Sequence, residues 1–200
     1  MNSNFETLSQ HDDQFSIGLD SSQRGMYLLC EQIEDRFAHG IGVIDGNLRQ
    51  QILSSLEGSP EDTWPTSPPL QQVHKQQIDS KPAILAVGMS GTSHYSTSML
   101  IAEVDSSSEL QIESACCAKL PDPDVWLGSR LRIEPGFIFE PTAEGGELKD
   151  QEFGQTKVRI TVDSELSTIR EIAPQVIEIV PIQAEKSGTT QWKYRFSLQR

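Results

Sequence analysis

The sequence predicts an α+β fold. The expected core is a mainly antiparallel sheet or partly open barrel of about six or seven strands, with one short helix inserted late and a two-helix N-terminal segment packed on the sheet. Three observations carry this expectation. Residues 94–198 hold several runs of strict two-residue alternation, the rhythm of half-buried strands. Residues 21–58 space their apolar side chains at helical intervals. Between these regions, Pro60, Pro65, Pro68 and Pro69 crowd a stretch where each lacks an amide hydrogen. The chain therefore reads as a disordered arm (1–20), a helical hairpin (21–58), a Pro-rich linker (59–82) and a β-rich domain (83–200).

Taken in order, Ser21 or Ser22 caps a first helix running to about His39, with Met26, Leu29, Cys30, Ile33 and Phe37 on one face and Gly40 as its stop. A second helix follows Asn47, with Leu48, Ile52, Leu53 and Leu56 as its stripe and Gly58 as its end. Helices this short are marginal alone, so both stripes need the downstream sheet. In the linker, Trp64 is placed to pin the connector onto a domain surface. The first strand of the sheet is Ala83–Gly88. The strongest hairpin signal joins 95–104 to 109–119 across Asp105–Ser108. Leu100, Ala102 and Val104 are expected inward on its first strand, and Leu110, Ile112, Cys116 and Ala118 on its second. Leu131, Ile133, Phe137 and Phe139 mark a further strand, bent at Pro135-Gly136. Residues 141–154 read as a mobile acidic loop. Val158, Ile160 and Val162 mark the next strand. Ser164–Ala173 reads as the late helix, capped by Asp163 or Ser164 and ended by Pro174. Residues 175–182 and the alternating Trp192–Leu198 complete the sheet.

Charge narrows the function. The chain carries 29 acidic and 16 basic residues, net −13. Such a field repels phosphate backbones and anionic lipids, so neither nucleic acid nor membrane is an expected partner. The basic pairs Arg130/Arg132, Lys157/Arg159 and Lys193/Arg195 read as solvated strand faces. No segment approaches ~20 continuous apolar residues, and the N-terminus lacks the basic start and apolar core of a signal peptide. The expectation is a cytoplasmic protein with three reduced cysteines. Adjacent Cys116 and Cys117 fall on opposite strand faces, one in the core and one exposed.

The most suggestive polar stretch is Gly88–Ser98, GMSGTSHYSTS. Gly88, Ser90, Gly91, Ser93, His94 and Tyr95 form the candidate ligand-binding loop, because glycine and serine backbones at a strand tip can cradle a small ligand. The segment lacks G-x-S-x-G and GK[ST], so it is neither a nucleophile elbow nor a Walker loop. His94 is a candidate base for Ser90, Ser93 or Cys117, but a triad also needs an orienting carboxylate. No H-x-x-x-H, H-x-H or C-x-x-C spacing exists, so no metal and no cofactor is expected. Asp122 and Asp124 flank Pro123 and read as a rigid turn. The functional expectation is a non-catalytic binding or protein-interaction module, engaging a protein partner, a second copy or a small ligand. The alternatives are a small hydrolase or transferase using His94, and an assembly subunit that pairs through an exposed Trp192–Leu198 edge.

Overall fold

The computed structural model describes residues 14–18, 24–46, 48–105, 107–118, 125–151, 156–183 and 188–199. Its first eight strands are β1 (Gln14–Gly18), β2 (Arg24–Ile33), β3 (Arg36–Asp45), β4 (Leu48–Ser55), β5 (Gln72–Ile78), β6 (Lys81–Ser90), β7 (Ser93–Val104) and β8 (Ser107–Ala118). The remainder are β9 (Ser129–Ile133), β10 (Phe137–Thr142), β11 (Gly145–Asp150), β12 (Lys157–Val162), β13 (Ser167–Ala173), β14 (Val176–Pro181) and β15 (Gly188–Leu198). They form two antiparallel sheets. One has the order β1-β2-β3-β4-β9-β14-β13 and the other β10-β11-β12-β15-β8-β7-β6-β5. The inner faces share one apolar core, in which Trp192, Tyr194 and Phe196 of β15 are fully buried.

The α+β expectation is overturned. Among the described residues there is no helix, and there are fifteen strands in two sheets. The expected helical hairpin is instead β2, β3 and β4. Met26, Leu28 and Cys30 are buried at a period of two, as are Phe37, His39, Ile41 and Val43. The turn between β2 and β3 places Glu34 at φ +56°. Gly40 ends nothing. It sits mid-strand, and Gly42 beyond it leaves room for the Tyr27 ring, which a β-carbon there would meet at 2.2 Å.

In place of the second expected helix there is a strand with a bulge. Ile41 pairs with Leu53 and Gly42 with Gln51, so Ile52 is the extra residue. Ile52 and Leu53 are consequently both buried, a consecutive pair that resembles a helical stripe, while Leu48 stays 64% exposed.

The late helix is also a strand. Asp163 does accept bonds from the Glu165 and Ser167 amides, but the chain then extends into β13. Pro174-Gln175 makes the turn into β14, with Gln175 at φ +61°. Within the expected linker, β5 pairs with β6 through the turn Asp79-Ser80, both at positive φ. That combination is a hairpin signal of the I′ kind. Trp64 packs against the core.

Several smaller readings change as well. Residues Gly145–Asp150 of the expected acidic loop are β11, and 152–155 lie outside the described residues. Within 1–20, β1 is described and the rest lies outside. On β7 the phase is the reverse of that expected: Tyr95, Thr97, Met99 and Ile101 are buried, and Val104 is exposed. The strand β15 is central, between β12 and β8, so it offers no free edge. The outer strands are β1, β13, β10 and β5. At one corner the chain passes between sheets: Phe37 donates its amide to Leu70 O at 2.7 Å, and Gln71 donates to Val87 O at 2.9 Å.

Candidate binding site

The Gly88–Ser98 segment is no loose loop. It is the end of β6, a two-residue turn at Gly91-Thr92 and the start of β7, closed by the pair Ser90–Ser93. Gly91 has φ +56° at the first turn position, the place a II′-type hairpin reserves for glycine.

Strand alternation then sorts the candidates onto two faces. Ser90 and Ser93 are buried and point inward, and the Ser90 hydroxyl donates to the Asp62 carbonyl. Gly88 also faces inward, against Pro69. A β-carbon there would sit 1.6 Å from the Pro69 oxygen, so the glycine serves a close chain crossing. Tyr95 is inward beside Cys116, and burial pushes its phenol well above the ordinary range, with Cys116 adding to the effect.

His94 and Cys117 lie on the opposite, outer face. They are directly paired across β7 and β8, and Met89 of β6 is directly opposite His94 on its other side. His94 and Cys117 are exposed, as are Met89 (46%) and Val87 (45%). With Ser96, Ala115 and Thr189 they border an open cleft of about 520 Å3. The Gln71 side chain closes one rim, accepting the Met89 amide at 2.9 Å.

The structure therefore brings His94 to Cys117 and separates it from both serines. No carboxylate is among the described residues bordering the cleft; Asp122 and Asp124 lie outside the described residues. The amides of His94 and Cys117 belong to strands flanked on both sides, so the ladder uses them and leaves no paired donors for an oxyanion.

Met89 and Val87 are functional candidates that sequence reasoning misses. A signal for Met89 exists: a two-residue turn closed by Ser90 and Ser93 necessarily sets residue 89 opposite residue 94.

A buried polar group escapes the sequence altogether. His39 is 5% and Arg36 4% exposed. Both ring nitrogens of His39, one guanidinium nitrogen of Arg36, Glu57 Oε2 and Lys75 Nζ are buried without a hydrogen-bond partner. Burial lowers the His39 pKa to about 4 and raises that of Glu57 to about 7, the latter against the Ser55 hydroxyl and Arg36. Cys30, directly opposite His39, is pushed up to about 12 by burial, with Glu57 adding to it. His39 sits within the apolar alternation of β3, which hides it, whereas Lys75 lies in the polar strand β5.

The basic pairs are largely neutralised. Lys157 lies 2.9 Å and Arg159 3.7 Å from Glu147. Lys193 meets Glu113, Arg195 meets Glu109, and Arg130 shares the buried Glu178 with Arg170. No helix among the described residues is long and apolar enough to cross a membrane.

In comparisons with known proteins, no family model, no curated protein and no solved structure matches the chain.

Proposed function

We propose that this chain is a non-catalytic binding module whose site is the outer face of the larger sheet, at the β6–β7 turn. The observation that carries the reading is the cleft itself. Two large apolar side chains, Val87 and Met89, stand exposed beside an exposed imidazole and thiol, His94 and Cys117, with no carboxylate among the described residues bordering the cleft. Exposed apolar surface grouped with polar groups is the mark of a binding surface more than of ordinary solvated sheet.

A ligand screen by thermal shift tests this, because anything that binds the native state raises its apparent stability. Run in parallel on wild type and Val87→Asp, it should return ligands that stabilise only the wild type. Ligands that stabilise both equally place binding elsewhere, and a screen without a single wild-type hit removes the reading.

The His94–Cys117 pairing favours one second reading, a thiol nucleophile with its base in a small hydrolase or transferase. It predicts turnover of activated thioesters that Cys117→Ser abolishes. The absence of an orienting carboxylate among the described neighbours and of free amide donors favours the first reading.

A further inference from the structure

Across three adjacent strands, one line of outward positions reads Met89, His94, Cys117. Their donor atoms are a thioether sulfur, an imidazole nitrogen and a thiol sulfur. We propose that this row binds a soft monovalent metal ion, with Cu(I) as the ion it fits; the inference rests on the reading of that face as the binding site.

Geometry supports the proposal first. Directly opposed residues in an antiparallel sheet hold their β-carbons roughly 4.5–5.5 Å apart, with side chains on the same face. A first-row metal bonded to nitrogen on one side and sulfur on the other, at roughly 2.0–2.3 Å per bond, spans a comparable gap. Cys117 and His94 therefore bracket one ion without backbone movement. The flexible Met89 side chain, on the far flank of His94, reaches over the ring to add a third ligand.

Ligand chemistry supports it next. Thiolate and thioether donors select Cu(I), and imidazole suits copper as well. The described surroundings supply no carboxylate for a hard cation: among the described residues no three His, Cys, Asp or Glu side chains are placed to hold a metal ion together, and the cleft border offers only amide and hydroxyl oxygens besides the backbone. Two or three soft ligands on an open face suit a low-coordinate ion, whereas structural zinc asks for four. The field is also favourable, since a chain of net −13 draws cations toward its surface. On binding, the Cys117 thiol gives its proton to water and the sulfur bonds the metal, so no oxidant or reductant enters. Cys30 and Cys116 are buried and do not compete for the ion.

The test uses the whole chain, reduced and free of oxygen, with Cu(I) supplied as a coloured chelate. Transfer to the protein is read from the chelate's loss of colour and from sulfur-to-copper absorption in the ultraviolet. Wild type should take one equivalent. Ligand loss should cost at least the roughly 10–100-fold seen for groups that merely orient metal ligands. Cys117→Ser should therefore weaken binding at least about 100-fold, and His94→Ala and Met89→Leu at least about 10-fold each. Unchanged thermal unfolding of the three metal-free variants confirms that each is folded. If Cys117→Ser alone weakens binding, the site is a lone thiol and the proposal falls. Zn(II) bound as tightly as Cu(I) also overturns it.

The parent reading fails separately. Met89→Leu keeps the apolar surface while removing the thioether, and Val87→Asp spoils the surface while keeping all three donors. Copper binding weakened in the first and unchanged in the second supports the metal row. Copper absent from wild type, with screen ligands still sensitive to Val87→Asp, removes the metal and keeps the binding face. Failure of both removes the face.

Discussion

Two histidines in this molecule occupy matching positions and lead opposite lives. His39 stands directly opposite Cys30 on neighbouring strands of one sheet, and His94 directly opposite Cys117 in the other. The first pair faces the core, where both ring nitrogens of His39 lack partners and burial holds it neutral. The second pair faces outward beside Met89. Residue type does not separate them. Strand phase does, because a step of one residue moves a side chain from one face of a sheet to the other. A histidine–cysteine pair is thus a feature to be hidden or offered, and the alternation of its neighbours decides which.

The widest contrast should be in thiol reactivity. A disulfide reagent added to native protein should consume one thiol, Cys117, while Cys30 and Cys116 wait for opening of the structure, at least about 1,000-fold more slowly. All three should react together in denaturant. Three equally fast thiols in native protein would erase the distinction between the faces.

The second contrast lies one residue apart. Gly88→Ala should cost about 3 kcal/mol or more, because the new β-carbon meets the Pro69 backbone, which a side-chain rotation cannot move aside. Met89→Ala, facing out, should cost under about 0.5 kcal/mol. Urea midpoints at constant slope measure both.

The third concerns pH. The unfolded chain protonates His39 near 6.5, but the folded chain resists until about 4. The unfolded state therefore binds more protons in that window, and stability is lost as pH falls through it, by about 3 kcal/mol in full. Glu57 has the opposite sign. Its folded pKa of about 7 lies above the ordinary 4.5, so its contribution is lost as pH rises from 4.5 through 7. The two slopes oppose each other between about 4.5 and 6.5. Glu57→Gln should expose a stability that climbs with pH there, and His39→Gln one that declines. Parallel curves for wild type and both variants, from urea unfolding between about pH 4 and 8, would show that neither group titrates as its burial implies.

The smallest expected effect is that of His94→Ala on stability in the absence of metal, within about 0.5 kcal/mol. A larger loss would mean that the exposed pair supports the fold.

How much of this is legible in the sequence follows from the same phase argument. Alternation in Trp192–Leu198, Leu110–Ala118 and Val158–Val162 points to strands, and those residues lie on strands with their apolar members inward or half-buried, save the outward Cys117. Residues 24–55 defeat it for two physical reasons. A bulge at Ile52 puts two buried residues in succession, and glycines within β3, which a helix tolerates poorly, mimic a stop. The phase of β7 is hidden because Leu100, Ala102 and Val104 are as apolar as Met99 and Ile101, and its inward positions include Thr97 and Ser93. At the candidate site, the Gly88–Tyr95 stretch stands out in the sequence, but its residues divide between two faces. Only pairing across strands, which no single strand encodes, joins Met89 and Cys117 to His94.

The position of β15 has a consequence for assembly of the chain. It is the last of the described strands, yet it lies between β12 and β8. Without residues 188–198 the larger sheet would divide into two separate ribbons, β5 to β8 and β10 to β12. Each ends in a raw border of unsatisfied backbone groups, able to zip onto another molecule. Closure joins segments far apart in the chain, which places folding among the slow β-rich cases of milliseconds to seconds. Shortening this strand would leave that seam permanently unsewn, and the expected product is clumped rather than merely weakened protein.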